Sequence, residues 1–142
     1  MRALLDVNVL IALLDADHVH HERAREWFRT QVGDGWASCP ITQNGCIRVM
    51  SQPAYSNPLP VAAVMERLAE AVRHPRHQFW PDDVSLLDAG TADVHRVHGP
   101  RQVTDLYLLA LSVKRQGRLA TFDGTIPLSA IRRAAKKHLA LI

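Results

Sequence analysis

A chain of 142 residues carries 17 Lys and Arg against 14 Asp and Glu, a formal net charge of +3 with its histidines neutral. That length is one domain, and an apolar fraction of 47% with 22% charged residues excludes a disordered or fibrous chain. Two cysteines, Cys39 and Cys46, with no CxxC pair exclude a disulfide framework. The apolar run 9–14 is too short to span a bilayer, and the opening residues lack the layout of a secretory signal, so a cytoplasmic location is expected. The mild positive charge favours polyanionic partners weakly. Basic residues gather late, at Arg101, Lys114, Arg115, Arg118, Arg132, Arg133, Lys136 and Lys137.

The elements follow in chain order. Residues 3–5 are a short apolar run that reads as a buried strand delivering Asp6 at its end. A helix is expected over 7–16, capped by Asp6 or Asn8. A second spans 19–32, with Ala24, Trp27 and Phe28 on one face, and Gly33-Asp34-Gly35 breaks it. Residues 36–39 form a strand stopped by Pro40. A helix over 42–50 packs Gly45, Cys46 and Val49. The proline-rich stretch 51–60 is a loop. An amphipathic helix covers 61–72, a strand 78–80, and a further helix 84–94, capped by Asp82 or Asp83. A basic loop over 95–103 precedes a strongly apolar helix, 104–116, with Thr104 as N-cap and Gly117 ending it. Residues 118–122 form a strand running into Asp123. A short helix from 128 or 129 and a last strand, 138–142, complete the chain. Such alternation predicts an α/β fold: a mostly parallel sheet with helices on both faces, whose sites lie beyond the carboxyl ends of the strands.

Asp6 and Asp123 each follow an apolar strand, and Asp105 stands in the first turn of a helix. In a parallel sheet all three reach the same rim. Each alone reads as a helix cap or first-turn acid. Three carboxylates meeting there repel one another unless a cation lies between them. Mg²⁺ or Mn²⁺ suits such oxygen ligands, and can polarise a phosphate and activate water.

Three segments, LLDVNVLIALL, WASCPITQNGCIRVMSQP and VTDLYLLALSVKRQGRLATFD, in this order and spacing, resemble the PIN-domain family. Within that family they resemble the VapC-type ribonuclease toxins of toxin–antitoxin pairs, over essentially the whole chain. The resemblance implies a three-layer α/β/α domain and a Mg²⁺-dependent endoribonuclease built on four acids. It also implies a small VapB-type antitoxin and a homodimer. Carried over by position, the first acid is Asp6, the third Asp105 and the fourth Asp123. Asn8, Thr104 and Thr121 match the supporting polar residues. The second acid, often Glu, is replaced by Gln43, and no Asp or Glu occurs between Asp34 and Glu66. Gln43 retains a neutral carbonyl or a hydrogen bond to offer, so a single ion is expected to bind and a second is less assured. Arg48 matches an Arg of the same branch and is expected to orient the site. His98 and Arg101 are candidates to position substrate.

The remaining motifs read blandly. His18, His20, His21 and Glu22 do not share one helix face and are an exposed helix entry rather than a zinc set. Trp27, Phe28 and Trp80 are core residues, and the two cysteines are small core fillers. A haloacid-dehalogenase-like phosphatase would need an acid where Asn8 stands. A receiver domain would need paired acids and a late lysine. A PIN-like module that binds RNA without cutting it is the alternative that Gln43 keeps open.

Overall fold

The computed structural model describes residues 1–142. Five strands, β1 (Ala3–Leu5), β2 (Trp36–Ser38), β3 (His77–Phe79), β4 (Arg118–Thr121) and β5 (Leu139–Leu141), form one parallel sheet in the order β3-β2-β1-β4-β5. Five helices accompany them: α1 (Val7–Leu14), α2 (His21–Gln31), α3 (Pro40–Met50), α4 (Val61–Val72) and α5 (Val103–Lys114). Alternation along each strand sorts the side chains. Ala3, Leu5, Trp36 and Ala120 pack with Val9, Leu10, Ile11, Cys46, Met50, Val64 and Leu68 on one face. Leu4, Ala37 and Leu119 pack with Leu106, Leu108, Leu109 and Leu111 of α5 on the other. A sheet covered on both sides in this way is a three-layer α/β/α arrangement, and its central strands read as unbroken apolar runs. No helix is long and apolar enough to cross a membrane.

The connections decide where a site can form. From β1 the chain steps outward to β2 and β3, then returns to the other flank of β1 for β4 and β5. The strand order therefore reverses between β1 and β4, and open parallel sheets bind ligands at such a switch point. Leu5 is in register with Ala120, so the residues that follow β1 and β4 emerge side by side.

Four expectations are corrected. Residues 84–94 are not a helix; they run as extended chain and turns up to a 3₁₀ turn at Val94–Arg96. Side chains there satisfy the local backbone instead: Leu87 N–H donates to Ser85 Oγ (3.2 Å), Gly90 N–H to Asp88 Oδ1 (2.8 Å) and His95 N–H to Asp93 Oδ1 (3.1 Å). Asp82 and Asp83 thus cap nothing; Asp83 pairs with Arg115 (2.8 Å) and Lys114 (3.3 Å). Thr104 is not an N-cap, because a 3₁₀ turn at Pro100–Gln102 leads directly into α5 and places Thr104 inside it. Pro40 opens α3 rather than only stopping β2, since a first helical residue needs no N–H donor.

The end of α5 differs from expectation in a useful way. The left-handed residue is Gln116, at φ 55°, not Gly117. Gly117 N–H donates to Ser112 O (2.8 Å) and Gln116 N–H to Val113 O (3.1 Å), the pair of bonds of a Schellman cap. A non-glycine residue is strained there, so Gln116→Gly is expected to stabilise the fold by about 0.5–1 kcal/mol. Chemical denaturation would show it as a raised midpoint with an unchanged slope.

Candidate active site

Asp6 is buried at the exit of β1 and N-caps α1, its Oδ1 accepting from Val7 N–H at 2.7 Å. Its Oδ2 accepts from the buried Thr121 hydroxyl at 2.9 Å, at the end of β4. The same Thr121 oxygen accepts from Asp123 N–H at 3.1 Å. One hydroxyl therefore ties the first acid to the segment carrying the last. Asp123 is exposed, and both the backbone N–H (2.8 Å) and the hydroxyl (2.6 Å) of Thr125 donate to its Oδ1. Asp105 stands half-buried in the first turn of α5, and no protein group donates to its carboxylate.

Electrostatics brings the three together. Burial pushes the Asp105 carboxyl up to about 6, and the charges of Asp6 and then Asp123 add to the rise. Burial also raises Asp6, against the lowering bonds from Thr121 and Val7, and Asp123 raises it further. The Thr125 bonds hold Asp123 below the usual carboxylate range. The charged form of Asp105 is thus disfavoured by burial and by both other acids, and that of Asp6 by burial and Asp123, which a cation would relieve. No three His, Cys, Asp or Glu side chains close into a ready-made cage. An all-oxygen donor set of this looser kind fits Mg²⁺ or Mn²⁺, which are usually held by one or two carboxylates and several waters.

Gln43 lies in the first turn of α3 and is half-buried. Its Nε2 donates to Ser38 Oγ at 2.9 Å, and Ser38 Oγ lies 2.8 Å from His77 Nε2. Burial holds the His77 imidazole below its usual range, which favours the neutral ring. The chain Gln43–Ser38–His77 fixes which way the Gln43 amide faces. Sequence reasoning missed Ser38 and His77, because only the β2–β3 register brings them together. It also missed Thr125, although Asp-Gly-Thr after a strand is a turn signature with a mechanism.

The other candidates stand further out. Asn8 is exposed in the first turn of α1, and Thr104 is exposed next to Asp105. Arg48 is exposed and takes part in none of the ion pairs, so it orients no acid here. His98 and Arg101 are exposed on the segment leading into α5. Cys39 and Cys46 are buried, and burial pushes the Cys46 thiol up to about 12.

Gly45 sets the spacing between α1 and α3. A Cβ there would lie 2.6 Å from Val7 Cγ2, beside the residue that follows Asp6. Helix propensity favours Ala by ~1 kcal/mol, yet overpacking costs ~1–3 kcal/mol. Gly45→Ala is therefore expected to lower stability and activity together, and Val7→Ala in the same chain to restore both. Thermal melting of the single and double variants checks this.

The PIN domain family profile matches residues 3–133. Ribonuclease VapC44 of Mycobacterium tuberculosis is 56% identical over 142 residues, covering all of both chains. A solved structure of FitAB bound to an IR36 DNA fragment aligns over 99% of this chain and 93% of its own, with TM-score 0.62 and 18% identity. A solved structure of VapBC2 from Rickettsia felis, bound to a DNA fragment from their promoter, aligns over 100% of this chain and 98% of its own, with TM-score 0.56 and 12% identity. The switch-point site and these likenesses over the full chain identify the protein as a member of the PIN-domain family, of VapC type.

Proposed function

We propose that this protein is a cytoplasmic, divalent-metal-dependent endoribonuclease, the toxin of a toxin–antitoxin pair. The observation that carries this reading is the gathering of Asp6, Asp105 and Asp123 at the β1/β4 switch point, where burial first, and then the charges of Asp6 and Asp123, raise Asp105 to about 6. The full-length likeness to Ribonuclease VapC44 supports it. Asp6, Asp105 and Asp123 would hold Mg²⁺ or Mn²⁺, with Gln43 near them. When bound, such an ion supplies charge stabilisation to a phosphodiester and lowers the pKa of water.

The protein's own groups supply order. Val7 N–H and Thr121 fix both oxygens of Asp6, and Thr125 fixes one oxygen of Asp123. Asp105 stays free of protein donors, so both its oxygens are open to a cation. His98 and Arg101 are proposed to contact phosphates flanking the scissile one. Hydrolysis with water as nucleophile leaves a 5′-phosphate and a 3′-hydroxyl. That one structural relative is a VapBC pair supports a VapB-type antitoxin as partner. A homodimer is proposed on the VapC-type resemblance.

Expression of the chain alone is expected to arrest growth, and Asp6→Asn or co-expression of a VapB-type antitoxin to relieve the arrest. Equal harm from both forms would reject catalysis as the cause. Gln43→Glu tests the fourth position. A carboxylate there adds a ligand charge, so Mn²⁺ affinity is expected to rise about tenfold. Calorimetry showing no change would place Gln43 away from the ion.

A further inference from the structure

Two adjoining cavities, of about 570 and 500 Å³, share Thr30, Gln31 and Arg118 and form one groove between α2 and the open edge at β5. Arg23 and Arg118 line it, and each guanidinium lies over an aromatic ring. Arg23 Cζ is 5.1 Å from the centre of the Phe122 ring, and Arg118 Cζ is 5.6 Å from that of Trp27. Both rings are half-buried, and the His20 ring packs on Phe122 at 4.8 Å. Phe122 lies beneath Arg23, which lines the groove, and is followed directly by Asp123, so the Arg23 end of the groove neighbours the acid-bearing segment. Arg118 opens β4, at the end of the strand opposite the Asp123 rim.

The charge balance of the groove is positive. No Asp or Glu pairs with Arg23, Arg118 or Lys137: Arg23 donates to Ile142 O and Arg118 to Gln31 O, both at 2.7 Å, and Lys137 makes no side-chain bond, while the two acidic side chains of the groove are already engaged. Glu26 pairs with Arg29 at 2.8 Å, and Asp34 with the N-terminal ammonium. Arg118 Nε is buried without a hydrogen-bond partner. A cationic groove with aromatic and guanidinium planes is the arrangement that tracks an unpaired strand, since its phosphates meet the cations and its exposed bases stack.

We propose that single-stranded RNA lies in this groove on its way to or from the acids, its phosphates met by Arg23, Arg118 and Lys137 and its bases stacked on the guanidinium planes that Trp27 and Phe122 back. This rests on the ribonuclease reading and adds to it the strand's path. Trp27 then serves substrate as well as packing.

The test uses the full chain and a short, mixed-sequence, fluorescein-labelled single-stranded RNA. Binding is followed by anisotropy in chelator, and cleavage with Mn²⁺ added. Arg23→Glu, Arg118→Glu and Lys137→Glu are each expected to weaken binding about tenfold and to raise KM with kcat within about twofold. The slope of log affinity against log salt is expected to fall by ~0.7 per cation lost. Lys137 is exposed and makes no side-chain bond, so its effect cannot arise through unfolding. Arg73→Glu, at the C-cap of α4 and outside the groove, is expected to change nothing in RNA binding or cleavage. If the native chain cleaves and the groove variants bind and cleave as it does, the path is wrong and the nuclease reading stands. Loss of antitoxin neutralisation in those variants, with RNA binding unchanged, would assign the groove to a peptide and overturn the proposal. A native chain that binds RNA through these cations but never cuts it would support the path and reject the nuclease. A native chain that neither binds nor cuts RNA would reject both.

Discussion

Asp105→Asn is expected to lower RNA cleavage at least a thousandfold while making the metal-free fold more stable. Most substitutions that remove activity also cost stability; this one should not, because the carboxylate receives no hydrogen bond and stands against two other acids. Its folded pKa, about 6, lies above the ordinary value near 3.9. For an acid raised on folding the charge opposes the fold at high pH, and the penalty disappears below the unfolded value. Asn should therefore gain stability at pH 7, and the gain should fade as pH drops from about 6 to about 4. Solvent screening at a half-exposed carboxyl reduces the gain to about 1 kcal/mol, or about 2–4 °C in melting temperature for a chain of this length. Melting curves in chelator at pH 7 and pH 4 read it directly. Full cleavage by the variant would remove Asp105 from the site. Lost cleavage with a lowered melting temperature would mean that the residue supports the fold instead. Asp6→Asn is a different case, since Asp6 also caps α1 and binds Thr121. Asn can keep the Val7 bond, but its Nδ2–H meets Thr121 only if the hydroxyl turns to accept, whereas Ala would orphan two groups at ~1–2 kcal/mol.

The second large effect lies away from the rim. Gly117→Ala is expected to destabilise the protein by about 3 kcal/mol, or roughly 10 °C. A Cβ at this position would sit 2.6 Å from Trp80 Cη2 and 2.7 Å from Arg2 O. The tryptophan can shift, but the carbonyl cannot, because it accepts Arg118 N–H at 3.0 Å beside the β1–β4 ladder. Trimming Trp80 to Phe in the same chain should therefore fail to restore stability. Complete rescue would show that the indole, not the backbone, is the wall. The same close approach carries function, for β1 and β4 are the strands that deliver Asp6 and the segment ending in Asp123.

This glycine also shows what is legible in a sequence. Gly117 marks the end of α5 correctly, but for the wrong physical reason. Packing requires it, while Gln116 takes the left-handed conformation. Strands β1 and β4 were readable because parallel strands buried on both faces are short apolar runs, and each stops at a polar residue on the rim. Helix α4 was readable to the residue from its amphipathic spacing. The segment 84–94 was misread because Val84, Leu86 and Leu87 imitate a helical stripe. Ser85, Asp88 and Asp93 instead take up the local backbone donors, and Ala92 pairs with Ile131 in an antiparallel bridge that no local window contains.

The site divides along the same line. Asp6, Asp105 and Asp123, the acids proposed for the site, stood out in the sequence because each lies close to where a strand ends or a helix begins. Their support could not. Thr121 was suggested by resemblance, but its double role between Asp6 and Asp123 depends on the β1–β4 register. The Ser38–His77 tether on Gln43 crosses two strands and a helix. Trp27 looked like core on helical spacing alone, and only the guanidinium of Arg118 above it marks the groove.

The central claim is tested most directly by incubating the purified chain with total RNA, in Mn²⁺ or Mg²⁺ and in chelator, and sequencing the ends that appear. Discrete new 5′-phosphate ends are predicted with the metal. None are predicted in chelator, nor from a chain with Asp6, Asp105 and Asp123 all changed to Asn. The same ends arising in chelator, or from the triple variant, would contradict a metal-dependent site built on these three aspartates.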